Sequence, residues 1–381
     1  MQFKQLSGLT VLLGVVYIVE VVLAQACRPL PSLDGGSAPS IGPLLVSVIF
    51  VDFPDFPAQN STEELYNTMI DAPDLYKTMS YGKLDLQMQP QLEGFYRMPN
   101  LSSNYNYARG LTTEDHVRYI NDALSAVGKA VSFEGVNVLY VVPPRGAKEI
   151  SFSPTAMVPV TAADGTVIGN TVTFGQDMWD RWGFKTVNHE TGHTMGLPDL
   201  YPYVNGTTTQ WVGGFDMMGL ISAQSPDYFA VLKWQLGWID DSQVDCVENS
   251  GITTHKISPI EVETGSKKLI MVPIDSTQAI LAEVRSTLGI DEGACGTGVL
   301  IYQILPEVGS GNGPIRVFDS KPGSGGCQIP TGNSTGGELS DAPYQVGSKF
   351  TSQLGVSITI LEQEGEDYIV EVQICALEFF G

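Results

Sequence analysis

The spacing of apolar side chains divides the chain into two textures that meet near residue 240. Leu44 to Asp52 (LLVSVIFVD) is a continuous apolar, β-branched run, which predicts a buried strand central in its sheet. Glu63 to Lys77 is predicted helical, Leu84 to Leu92 alternates like a strand after the Tyr81-Gly82 turn, and Val136 to Val142 is a second buried strand. Thr113 to Val127 predicts a helix. Thr113 can cap it, Glu114 and Asp115 suit its positive end, and Val117, Ile120, Leu124 and Val127 make an apolar stripe. Val158 to Phe174 predicts a hairpin turning at Asp164-Gly165. Two further helices are expected, Lys185 to Met195, stopped by Gly196 and Pro198, and Pro226 to Leu236, ended by Gly237. Past Asp240 the runs Lys268 to Ile274, Ala279 to Val284, Val299 to Ile304, Val356 to Leu361 and Tyr368 to Ile374 are short and separated by Gly, Pro and Ser, which predicts antiparallel β structure.

The expected class is therefore α+β, with residues 43–239 as the main domain and a β-rich region, 240–381, packed on it. Lys4, the apolar stretch Leu9 to Ala24 and the small-x-small site Ala24-Gln25-Ala26 have the layout of a secretory signal peptide over residues 1–26. Residues 27–42, rich in Pro, Ser and Gly, read as a short propeptide or a flexible arm. No later segment reaches the ~20 apolar residues that span a bilayer. A soluble, monomeric, extracellular protein is expected, and sequons at Asn60, Asn100, Asn205 and Asn333 agree with export. A composition of 43% hydrophobic and 16% charged residues is that of a globular chain. The excess of 42 acidic over 20 basic residues, a net charge of −22, excludes nucleic acid as a partner, because the phosphate backbone would be repelled. Four of the five cysteines are expected in two disulfides, Cys295 with Cys327 and Cys246 with Cys375, although spacing does not fix connectivity.

Candidate chemistry sits at His189-Glu190-Thr191-Gly192-His193. Residues four apart share one helix face, so two imidazoles can hold one zinc ion, and Glu190 stands beside them as a general base for a metal-activated water. The chain has only 4 histidines, and half of them fall here. Gly196 allows a sharp exit from the helix. Asp199 lies where the metzincin pattern HExxHxxGxxH places its third ligand, and a carboxylate is a competent zinc ligand. His116 and His255 are the competing third ligands. Downstream, Gly213 to Gly219 (GGFDMMG) has the form of the methionine turn found beneath metzincin metals; Met218 is the choice and Met217 the alternative. Tyr201 and Tyr228 are the phenols nearest in sequence that could assist an oxyanion. Cys27, unpaired in the expected scheme, could be a disulfide to the body, a free thiol, or a thiolate that occupies the open metal position and keeps the site latent.

His189 to Tyr201, HETGHTMGLPDLY, resembles the zinc segment of the immune inhibitor A family of metallopeptidases, HExGHxxGxPDxY, and Asp216-Met217-Met218 is similar to that family's turn. FVDFPD at Phe50 to Asp55, SYGKLDL at Ser80 to Leu86, SPDYFAVLKWQLGWI at Ser225 to Ile239, Ala282 to Arg285 and Gly298 to Tyr302 extend the likeness over most of the chain. The resemblance implies a secreted zinc endopeptidase with a metzincin-like core, acting on protein or peptide substrates. It implies His189, His193 and Asp199 as ligands and Glu190 as base. Calcium is frequent in such enzymes, and the acidic surface permits it. The chain departs from the family at Pro202, where an aspartate often follows the tyrosine, and in a very short prosegment. The alternative reading is a catalytically silent binding protein on the same scaffold, against which the intact Glu190 stands.

Overall fold

The computed structural model describes Cys27, residues 36–327 and residues 337–375. The expected signal peptide and the sequon at Asn333 lie outside the described residues.

The first long strand, β1 (Gly42–Asp52), sends alternate side chains to opposite faces of its sheet. Val46, Val48 and Phe50 enter one apolar cluster, and Ile49 and Val51 enter another. Both faces are covered, which is why the run shows no polar alternation. Parallel neighbours β2 (Leu84–Pro90) and β4 (Val138–Val142) flank it, and β3 (Tyr96–Arg97) pairs with its end. The strand β5 (Thr155–Ala156) is followed by a small hairpin of β6 (Val160–Thr161) and β7 (Val167–Ile168), which turns at Asp164-Gly165 as expected. The chain then joins the main sheet as β8 (Asn170–Thr173), parallel to β4. The sheet order is β2-β1-β4-β8-β5, so β5, antiparallel to β8, is an edge.

Helices cover both faces. The single helix expected over Glu63 to Lys77 is two, α1 (Thr62–Tyr66) and α2 (Ala72–Met79). Pro73 stands in the first turn of α2, where its missing N–H costs nothing; inside one longer helix its ring would clash with the preceding turn. Helix α3 (Thr113–Val127) has the expected limits, but its cap is Thr112, whose hydroxyl accepts from the Asp115 N–H at 3.1 Å. Helix α4 (Phe184–Thr194) is buried from Thr186 to its end. Helix α5 (Ala230–Gln235) is shorter than expected. The carboxylates of Asp216 and Glu283 receive the N–H groups of Phe229 and Ala230, which fixes its start.

Beyond residue 240 two mostly antiparallel sheets pack face to face. One, ordered β14-β13-β12-β11-β9, contains β9 (Val244–Cys246), β11 (Leu269–Asp275), β12 (Gln278–Arg285), β13 (Gly298–Ile304) and β14 (Ile315–Val317). The other, ordered β10-β17-β16-β15, contains β10 (Gly251–Ile257), β15 (Lys349–Thr351), β16 (Val356–Glu364) and β17 (Asp367–Ile374). Ile280, Ala282 and Val284 of β12 face the second sheet. Ala279 and Leu281 face the opposite way, into the cluster that also holds α4 and the core of the first half. One apolar core thus runs across residue 240 without a break.

The disulfides are Cys27–Cys246 and Cys295–Cys327. The expected Cys246–Cys375 pair is wrong: Cys375, at the end of β17, is free and exposed, and Cys246 takes Cys27 instead. Cys27 is therefore bound to the body and is no thiolate latch over the site. The described part of the 27–42 segment is also not loose. The Ala38 N–H donates to the Thr194 carbonyl at 2.9 Å, and the Ser40 carbonyl accepts from the Trp238 indole at 2.7 Å. Among the described residues no helix is long and apolar enough to cross a membrane.

Candidate metal centre and cleft

Helix α4 carries the candidate site residues His189, Glu190 and His193. Its apolar content is low, yet it is buried, and several of its polar groups find partners. Asn188 donates to the Ala72 carbonyl at 2.9 Å, and its own carbonyl accepts from the Tyr76 hydroxyl. Thr191 bonds back to the Val187 carbonyl at 2.6 Å and meets the Tyr140 hydroxyl. Gly196, at φ 90°, then turns the chain out of the helix, a conformation a side chain would resist.

The helical spacing brings His189 and His193 side by side, with ring centroids 5.0 Å apart. Each Nδ1 faces a main-chain carbonyl: His189 that of Met217 at 2.9 Å, His193 that of Leu197 at 2.7 Å. A carbonyl can only accept, so each Nδ1 carries a proton and Nε2 is the ring atom turned toward the site. Both Nε2 atoms point at one place. Asp199 Oδ1 lies 3.1 Å from the first and 3.4 Å from the second, and it has no hydrogen-bond donor among the described residues. These three atoms thus converge on one buried point, where two imidazoles and a carboxylate could hold a metal ion. Donor atoms of His189, Glu190 and His193 fall within 4.8 Å of one another.

With protons as the only positive charge, the site distributes them as follows. Burial pushes the Glu190 carboxyl up to about 7, partly offset by the two imidazoles. Burial opposes a charge on His193, but the Asp199 and Glu190 carboxylates outweigh it and raise that ring to about 10. Asp199, although buried, is held far below the usual carboxylate range by the same rings. A shared proton neutralises this cluster; a divalent cation bound by two imidazoles and a carboxylate would do so with better geometry.

The methionine turn lies under the helix. A Cβ on Gly192 would come within 2.9 Å of Met218 Sδ, so helix and methionine touch through the missing side chain. Met217 contributes its carbonyl to His189, and its side chain is buried elsewhere in the core. Asp216, at φ 120°, shapes the turn by accepting from the N–H groups of Met218 and Phe229 at 2.7 and 2.9 Å.

Above the helix is a cleft of about 790 Å³ whose wall includes β5 and whose floor includes His189, Glu190, His193, Asp199 and Tyr201. The Thr155 hydroxyl of β5 lies 2.8 Å from Glu190 Oε2. Tyr201 stacks on His189 at an interplanar angle of 27°. Tyr228 is not in the cleft: it is fully buried beneath α4, with its hydroxyl 3.2 Å from that of Tyr76, so it cannot reach a substrate. His116 and His255 are not drawn to the centre. His116 lines the cleft but is a buried residue, and its Nε2 meets Thr173 Oγ1 at 2.7 Å. His255 sits on β10, 2.8 Å from Asp245. Asn100 and Asn205 are exposed and Asn60 is half-buried.

Two participants were not visible in the sequence. The Tyr203 hydroxyl donates to Asp199 Oδ2 at 2.6 Å, and Ser310 Oγ accepts from the Asp199 N–H at 2.7 Å. Tyr203 has a weak signal, four residues past a candidate ligand; Ser310, in a Gly-Ser-Gly loop, has none. No protein-family model matches the chain, and a search of the curated proteins returns no similar sequence.

Proposed function

We propose that the chain is a secreted zinc-dependent endopeptidase with a metzincin-like catalytic core, in which His189, His193 and Asp199 hold the metal and Glu190 is the general base. The observation that carries this reading is the convergence of two imidazole Nε2 atoms and one carboxylate oxygen, Asp199 Oδ1, beside the buried Glu190 carboxyl group in an open cleft. A zinc ion bound there would polarise both a water molecule and the carbonyl of the scissile peptide. Glu190, desolvated and brought close to neutrality, takes a proton from the attacking water and hands it to the nitrogen that leaves as the C–N bond breaks. The Thr155 hydroxyl orients that carboxylate. The outer edge of β5 offers unpaired main-chain groups to an extended peptide, which would lie across the cleft as an added strand. Tyr201, at the floor beside His189, is the phenol available to an oxyanion.

The test is zinc analysis of the purified protein with casein cleavage measured before and after chelation, and with Glu190→Gln as control. The reading requires about one zinc per chain, activity abolished by the chelator and restored by zinc, and an inactive variant that still binds zinc. Casein cleavage that survives both chelation and the substitution would sink it.

A further inference from the structure

The third ligand is held from both halves of the chain. Its N–H donates to Ser310 Oγ at 2.7 Å, and its carbonyl accepts from the Gly311 N–H at 3.0 Å. Its carboxylate is held from outside by the Tyr203 hydroxyl, 2.6 Å from Oδ2, and that hydroxyl also lies 3.1 Å from Ser310 Oγ. The Tyr203 N–H in turn donates to the Gly311 carbonyl at 3.1 Å. Gly311 has φ 72°, and a Cβ there would stand 2.2 Å from the Tyr203 ring, so the loop lies flat against the tyrosine. The loop is the connection between β13 and β14, closed at its base by Ile304 opposite Ile315 and by the Leu305 N–H on the Pro314 carbonyl at 2.8 Å. It therefore projects from the sheet that carries the shared core.

A carboxylate that is free to rotate can present either oxygen, or both. With Oδ2 fixed by a phenol and both main-chain groups tied down, only Oδ1 is left to face the imidazoles, and it has no other donor. We propose that Tyr203 and the Ser310-Gly311 loop of the C-terminal region are positioning residues that fix Asp199 as a one-oxygen metal ligand, so that the metal centre is completed only by residues from beyond position 240. This inference rests on the zinc reading above. Partners one step behind a metal ligand set its orientation and basicity, and losing one typically lowers metal affinity about 10–100-fold.

The experiment measures zinc affinity by competition with a chromophoric chelator, together with the visible spectrum of the cobalt-substituted protein. It uses the full chain and the variants Tyr203→Phe, Ser310→Ala and Ser310→Thr. Tyr203→Phe and Ser310→Ala are each expected to weaken zinc binding about 10-fold or more and to shift the cobalt bands, with Ser310→Thr restoring most of the loss by keeping the hydroxyl. Thermal unfolding of the metal-free proteins is run alongside, and a loss of affinity without a matching loss of stability separates positioning from simple support. If wild type and both hydroxyl-deletion variants bind zinc within twofold of one another with unchanged cobalt spectra, the positioning role is overturned while the zinc reading stands. If wild type binds neither ion, both fall.

Discussion

Glu190 and His116 show how burial sets the chemistry of single side chains. Glu190 is buried beside the two imidazoles with its carboxylate on the Thr155 hydroxyl, and proton transfer is the task proposed for it. Glu190→Gln keeps the shape and the Thr155 contact but removes the base. We expect kcat to fall by about 10²–10⁴-fold with zinc content unchanged, measured by peptide hydrolysis and metal analysis. His116 is an ordinary case of desolvation. Burial brings it from 6.5 down to about 4, so it stays neutral in the fold and would take up a proton more readily when unfolded. The stability it contributes is full above the unfolded value near 6.5 and is lost as pH falls through 4, by up to about 3 kcal/mol. The melting temperature should therefore fall over that window, and His116→Gln should flatten the slope in calorimetric scans from pH 7 to 4. An equal slope in the variant would place the acid sensitivity at other groups.

At the level of elements, the meeting of α4 with the turn at Asp216 to Met218 sets the geometry of the proposed ligands. His189 is oriented by the Met217 carbonyl, and the two elements approach closely because position 192 has no side chain. Gly192→Ala adds a methyl within 2.9 Å of Met218 Sδ and 2.8 Å of the Tyr228 hydroxyl. Alanine is the better helix former by about 1 kcal/mol, but overpacking costs about 1–3 kcal/mol. We expect a net loss of stability of about 1 kcal/mol in urea unfolding, with weaker zinc binding. A variant more stable than wild type would mean that the turn can yield. This element pair was half legible. The HExxH spacing, Gly196 and the two methionines in a glycine-bounded turn can all be read along the chain, as can the limits of α3, since 3.6-residue periodicity and caps are local. The place of Tyr228 was not legible, for the converse reason. Its hydroxyl points under the helix, and nothing in the residues around it in sequence states which side of α4 it will meet.

On the scale of the molecule, the two textures of the sequence are joined by buried charge as well as by apolar contact. Arg285 of β12 is fully buried; it bonds Glu283 at 3.1 Å, Asp291 at 2.7 Å and the carbonyls of Ser225 and Asp227, both at 3.1 Å. Asp227 pairs with Lys233 of α5 at 2.5 Å. This network clamps the segment after the methionine turn onto the C-terminal sheet. Removing the guanidinium strands carboxylates in the interior, at a cost of about 3–5 kcal/mol. Arg285→Met should therefore unfold at markedly lower denaturant concentration, and its unfolding should still be a single transition, because the core is shared. Two separate transitions in the variant would show that the halves are independent.

The sequence by itself determined the features whose cause is local. These are the buried β1 run, the α3 and α4 helices, the hairpin at Asp164-Gly165, the Gly196 exit, and the placing of two imidazoles and a carboxylic acid on one helical turn. Each depends on residues within a few positions of one another. Only the tertiary structure decided which cysteine Cys246 meets, that Cys375 stays single, that His116 is interior, and that Tyr203 and a loop beyond residue 305 grip Asp199. Those outcomes depend on how sheets and helices stack, and stacking brings together residues more than 100 positions apart, for which periodicity and turn chemistry carry no information.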